Sequence, residues 1–385
     1  MQETAKSRHN AFAFLRFILA SLVIFAHSSA LGDFPDDLLS IYSSDRLGPG
    51  NVAVFGFFFI SGFLVTKSYL RLRSLPRFLW HRALRIYPAF WVCLVVTAFG
   101  FAAFAFAHEK GTLSGFVGAS DDPLAFLKNN WTLAIRQWGI DRLLSTNPFP
   151  SAFNGSLWTL EAEFRCYLGV ALLGIAGLLR GARWTIGVLV LVLWAPLVWS
   201  GFYVHDWPQA GVIADLFPSD KVLEQCVYFA LGCAALLYRD HIRLDPRIAG
   251  FAFCSIFAAL KLPYCSAFAP FALSYLVYYA AFRIPIYDFD RFGDFSYGIY
   301  IYAFPVQQVF AMLGVQRYGF WPFMLLSLLA TLPLAALSWK LVEEPALRLK
   351  DRSFGRFGQL GNHLSLPLQV VDARMPAQSP EDDRF

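Results

Sequence analysis

Long apolar stretches broken by short polar segments make up most of this chain. A helix that crosses a bilayer needs about 20 mostly apolar residues, and runs of that kind, some short, recur at approximately 11–31, 51–70, 89–107, 156–178, 184–203, 222–238, 247–262, 266–283, 294–314 and 319–342. The pattern predicts an all-α, polytopic membrane bundle of about ten transmembrane helices. Only Pro263 and Cys265 mark the break between the seventh and eighth runs, which leaves a hairpin or one broken helix open. The first run follows Lys6 and Arg8 and ends near Ser28-Ser29-Ala30, as a cleaved leader would; Arg16 inside it argues that the helix is retained. Residues 108–155 form a long external segment, with Trp131 and Trp138 suited to an interface. The apolar domain covers residues 1–350, and the polar residues 351–385 are expected to form a flexible cytoplasmic tail. No internal repeat is visible.

The basic residues orient the bundle. With the N-terminus inside, Lys67, Arg71, Arg73, Arg77, Arg82 and Arg85 fall on the cytoplasmic side, as do Arg348, Lys350, Arg352 and Arg356. An even number of crossings puts both termini in the cytoplasm. Composition agrees: 57% of the 385 residues are hydrophobic and 15% charged, with a mean hydropathy of +0.49, against about 25% charged in soluble domains. This excludes a disordered chain, a nucleic-acid-binding domain and a disulfide scaffold. The six cysteines, Cys93, Cys166, Cys226, Cys233, Cys254 and Cys265, contain no C-x-x-C and read as packing thiols, so no metal site is expected.

Ionisable side chains within a bilayer cost at least ~2.5 kcal/mol near a helix centre, which makes each one a functional candidate. Arg16 and His27 are just over three helical turns apart, on one face and ~16 Å apart along the axis. Arg16 lies toward the cytoplasm and His27 toward the outer leaflet. Snorkelling would account for the arginine, and a bond to a carbonyl or to interfacial water for the histidine. Glu161 and Glu163 in the fourth run cannot share a helical face. Glu163 is the better candidate, as a carboxylate that orients the His27 imidazole as a general base, with a structural ion pair to Arg165 as the plainer reading. Arg82 and Arg85 share a face that Arg77 can join. Such a fork suits phosphate, and an ordinary cytoplasmic cluster gripping anionic lipid explains it equally.

Taken together, these residues resemble the acyltransferase 3 family of integral membrane O-acyltransferases. The likeness rests on Arg16 to His27, on Phe57-Phe58-Phe59-Ile60-Ser61-Gly62-Phe63-Leu64, and on Arg82-x-x-Arg85 before Tyr87-Pro88. It also rests on Ser156-Leu157-Trp158-Thr159-Leu160 with Glu163, on Phe295-Ser296-Tyr297-Gly298-Ile299-Tyr300, and on Glu343-Glu344-Pro345. The resemblance implies about ten helices and transfer of an acyl group, usually acetyl, from cytoplasmic acyl-CoA to a hydroxyl of a carbohydrate or similar acceptor. It further implies that His27 and Arg16 are essential and that Arg82 and Arg85 engage the donor's phosphates. Two positions depart from the family: Ala53-Val54-Phe55-Gly56 replaces a Gly-Val-Asp pattern, and Ala303 stands where many relatives carry a histidine. Some relatives carry a fused SGNH-hydrolase domain; a stand-alone form is expected here.

The expected activity is therefore O-acylation of a cell-surface or secreted carbohydrate (O-antigen, exopolysaccharide or lipo-oligosaccharide) at a bacterial inner membrane. His27 would be the base, acyl-CoA a co-substrate rather than a bound cofactor, and Ser61, Asn154 or Tyr297 an oxyanion donor. Carbohydrate acceptor and membrane lipids are the expected partners, with no nucleic acid. A covalent route through Ser61 or a cysteine is the alternative chemistry. The rival class is a proton-coupled transporter or flippase, which would use intramembrane Arg, His and Glu equally well. A scaffold or receptor would leave those groups unexplained.

Overall fold

The computed structural model describes residues 10–351 apart from 44–46, 73, 119–120, 151, 204–216, 218 and 261–264. Lys6, Arg8 and the predicted tail beyond Asp351 lie outside the described residues. Among these residues every regular element is helical. The ten apolar runs fall on ten main helices: α1 (Phe12–Gly32), α2 (Pro49–Leu72), α3 (Leu75–Val96), α4 (Thr159–Ile175), α5 (Trp184–Tyr203), α6 (Asp220–Leu237), α7 (Pro246–Ala259), α8 (Cys265–Arg283), α9 (Ser296–Met312) and α10 (Phe320–Ser338). A π turn at Thr97–Phe101 continues α3 to Lys110, and one at Trp339–Glu343 continues α10 to Arg348. Among the described residues, four helices are long and apolar enough to cross a membrane: α1, α2, and α3 and α10 with their continuations. Large apolar side chains such as Leu172, Leu329 and Leu341 face outward as well as inward, which fits a lipid surround and not water.

Two helix starts differ from the sequence expectation. The third apolar run begins at 89, but α3 begins at Leu75, after Ser74 in an extended conformation and with proline in its first turn, where the missing N–H has no partner to lose. Arg82 and Arg85 are thus carried on the spanning helix itself. The fourth run begins at 156, whereas α4 begins at Thr159. The preceding turn is held by Asn154, whose side-chain oxygen accepts the Ser156 N–H at 3.1 Å. Glu163 therefore lies only ~6 Å into its helix. The seventh and eighth runs are separate helices, α7 and α8, packed against each other as a hairpin.

At the centre, α2 packs on α6, α1 and α4. The α2–α6 crossing is set by Gly62 and Gly232: a Cβ at Gly62 would lie 2.0 Å from the Phe229 carbonyl oxygen, and one at Gly232 2.1 Å from that of Phe59. Close backbone approach through small residues is how helices associate where lipid removes the hydrophobic drive. Nearby, the rings of Phe55 and Tyr228 stack with centroids 4.3 Å apart. On the other side of α1, α9 packs between α1 and α10, so that α1, α2, α4 and α9 enclose two cavities.

Candidate functional site

The larger cavity, about 490 Å³, opens at the arginine-rich end of the bundle. Its lining includes the cations Arg16, Lys67, Arg71, Arg82, Arg85 and Lys350, against the carboxylates Asp290, Asp294 and Glu163. The excess of positive charge favours an anionic ligand. Arg16, on the first turns of α1, pairs with Asp294 and donates to Ser296 Oγ at 3.1 Å. Asp294 precedes α9, and its other oxygen accepts from Ser296 Oγ at 2.6 Å. Arg85 donates to Asp294 at 2.8 Å and to Glu343 at 3.2 Å. Glu343, only 2% exposed, also accepts from Ser338 at 3.1 Å. It sits in the π turn of α10, an extra residue per turn that commonly marks functional positions.

Arg82 lies over the Tyr167 ring at 5.6 Å and donates to Ser68 at 3.4 Å. Deeper in the cavity, Glu163 accepts from Ser61 Oγ at 2.7 Å and from the Tyr167 hydroxyl at 2.6 Å. Tyr297 donates to the Ile86 carbonyl at 3.0 Å, beneath the Arg85 guanidinium.

The smaller cavity, about 220 Å³, lies toward the other end of α1 and is lined by His27, Asn51, Ser156, Trp158 and Gln225, among others. Three of its buried polar atoms, His27 Nδ1, Ser156 Oγ and Gln225 Oε1, have no hydrogen-bond partner among the described residues. Buried polar groups are nearly always satisfied, so their convergence on one cavity points to a polar ligand with several donors and acceptors. The two cavities share Val54, Thr159 and Tyr300. The Thr159 and Tyr300 hydroxyls are 2.5 Å apart, and Tyr300 donates to the Ser156 carbonyl at 2.9 Å. This small group is the partition between them.

A family model described as an acyltransferase domain matches residues 9–340 of the chain. The protein belongs to the acyltransferase 3 family. The chain is 30% identical to an O-acetyl transferase of Shigella phage Sf6, over 88% of its own length and 96% of that protein's. It is also 30% identical to nodulation protein 10 of Rhizobium leguminosarum bv. viciae, over 92% of its length and 97% of the relative's. No solved structure matches the chain.

In this acyltransferase the expected site residues divide between the cavities. Arg16, Ser61, Arg82, Arg85, Glu163 and Tyr297 line the larger one and His27 the smaller. The expectation that Glu163 orients His27 does not hold, because its carboxylate is engaged by Ser61 and Tyr167 in the other cavity. Nor does Glu163 pair with Arg165, which reaches Glu161 at 2.6 Å on the exposed face. Asn154 lines neither cavity; its amide donates to the Ile301 carbonyl at 2.8 Å and holds the turn before α4. Arg77 is exposed and outside the cavity lining, being on a different side of α3 from Arg82. The residues that sequence reasoning left without a role are Asp294, Glu343, Tyr167, Tyr300, Lys67 and Arg71. Asp294 and Glu343 sit at the edges of apolar runs, where an acidic residue reads as a solvated helix end.

Proposed function

We propose that this acyltransferase is an O-acyltransferase of the bacterial inner membrane. It would move an acyl group, acetyl by default, from cytoplasmic acyl-CoA to a carbohydrate hydroxyl reached from the outer face. The observation that carries this reading is the pair of cavities: one cationic, at the arginine-rich end, and one with three unsatisfied polar atoms around His27, meeting at Val54, Thr159 and Tyr300. The arginine-rich end would face the cytoplasm, with ten crossings and both termini inside. The name of the phage relative supports acetyl transfer to oxygen. The hydrogen-bonding side chains of the smaller cavity, Asn51, Ser156 and Gln225 with the cation Lys221, and the flat face of Trp158 suit a sugar ring.

In the reaction, the donor's thioester reaches the partition from the larger cavity, and the acceptor hydroxyl sits against His27 in the smaller. The hydroxyl oxygen attacks the thioester carbonyl carbon while His27 takes its proton. The developing oxyanion falls beside the Thr159 and Tyr300 hydroxyls, one of which can turn to it. The carbon–sulfur bond then breaks, and the proton that His27 took from the hydroxyl passes to the departing thiolate, which leaves as free CoA beside an O-acyl ester and returns His27 to its neutral form. Arg16, Arg85, Asp294 and Glu343 lock α1, α3, α9 and α10 around the donor cavity, while Glu163 and Tyr167 fix Ser61 within it.

The test follows free CoA released from acetyl-CoA by the protein in nanodiscs, with a mixed carbohydrate acceptor pool, for wild type beside His27→Ala. Acceptor-dependent release that falls ~10²- to 10⁴-fold in the variant is expected for loss of a general base. Equal release from both would remove His27 from that role. Failure of the wild type to bind acetyl-CoA in calorimetry would overturn the donor and favour proton-coupled transport.

A further inference from the structure

One wall of the larger cavity is a single stripe along α2. Val54, Ser61, Leu64, Ser68 and Arg71 all line it, at helical spacings of seven, three, four and three positions, so one face of the helix runs from the partition to the cavity mouth. From Val54 to Arg71 is ~25 Å along the axis. The stripe, which Phe57 joins, is uncharged until its last turns, where Lys67 and Arg71 stand one turn apart, both exposed and both lining the cavity. Neither makes an ion pair or hydrogen bond with the described residues, whereas Arg85, deeper in, is held between two carboxylates. Arg239 adds to the positive field at Lys67, and Arg82 reaches the same turn of α2 through Ser68. Cations gathered at the mouth of such a track, making no ion pair with the described residues, form a site for an anionic head group whose long, thin arm lies along the track.

We infer that Lys67 and Arg71, with Arg82 at the inner edge, clamp the phosphates of the donor nucleotide, and that Arg85 serves the internal ion network instead of the donor. The inference rests on the acyl-CoA reading above. The alternative source of phosphate is an anionic lipid headgroup at the same depth.

The test is the ratio of kcat/KM for acetyl-CoA to that for acetyl-pantetheine, which shares the arm and thioester but lacks every phosphate. The variants are Lys67→Gln/Arg71→Gln and the charge-preserving Lys67→Arg/Arg71→Lys, all in nanodiscs of zwitterionic lipid. The ratio is expected to fall ~10- to 100-fold in the Gln pair, through loss of two charge-assisted contacts, and to recover in the charge-preserving pair. That recovery separates a charge effect from misfolding. An unchanged ratio in the Gln pair, with the wild type active on acetyl-CoA, overturns the clamp and leaves the donor reading standing. A wild type that binds neither compound brings down the donor reading and the clamp with it. The measurement is repeated in nanodiscs containing anionic lipid; if the Gln pair differs from wild type only there, the two residues hold lipid and the clamp is overturned.

Discussion

Arg85 shows how far a residue's chemistry is decided by what stands across from it. On α3 it is one of two arginines in a motif that reads as a phosphate fork, yet its two donating nitrogens are already occupied by Asp294 and Glu343. Removing one partner of a buried ion network strands the rest, at about 3–5 kcal/mol for a fully buried pair. Arg85 is 19% exposed, so the lower end applies. Arg85→Ala should therefore lower the thermal midpoint of the donor-free protein, and adding Glu343→Gln, which removes a stranded charge, should recover part of the loss. A midpoint unchanged in Arg85→Ala would mean that the guanidinium is held for a ligand and not for the fold. The cations of this network were legible in the sequence, Arg16 because an arginine inside an apolar run stands out and Arg85 by its spacing from Arg82. Their carboxylates were not: Arg16 and Asp294 are 278 positions apart, and no local pattern links them.

Among the elements, α2 has the most to satisfy. One face carries the proposed donor track, while another meets α6 through Gly62, where a Cβ would lie 2.0 Å from the Phe229 carbonyl oxygen. A backbone atom cannot swing aside as a side chain can, so Gly62→Ala should push the helices apart and cost about 1–3 kcal/mol, as overpacking does. The expected signs are a lower detergent-solubilised melting temperature and a weakened acetyl-CoA response, because the track moves with the helix. Retention of both would show that the crossing can relax. The elements themselves were readable from the sequence, since each helix is announced by its own apolar run. Their starts were less so at α3 and α4. The arginines before residue 89 fall outside the apolar run by polarity although the helix already begins at Leu75, and Ser156-Leu157-Trp158 reads as apolar helix although Asn154 folds it into a turn.

For the whole molecule, the proposed reaction sets a requirement: two substrates must meet from opposite faces without a channel opening between them. The partition answers it with few atoms: Val54 from α2, Thr159 from α4 and Tyr300 from α9, the last two joined by a hydrogen bond at 2.5 Å. Three helices far apart in sequence converge there, which is why no motif marked it as a boundary. If the thioester carbonyl must reach this point, the acyl chain has to fit against the partition itself, and its length is read there. Val54→Ala removes two methyl-sized groups from that contact and enlarges the space for a longer chain. A methylene in an apolar pocket is worth about 1–3 kcal/mol of discrimination, so the variant should shift relative kcat/KM from acetyl-CoA toward propionyl- and butyryl-CoA by up to ~10-fold. A parallel fall for all three donors would mean that the acyl group sits elsewhere. Tyr300→Phe separates the two duties of the wall: it keeps the ring that closes the passage and removes the hydroxyl placed beside the oxyanion. It should therefore slow all three donors alike and leave their order unchanged, whereas Val54→Ala changes the order.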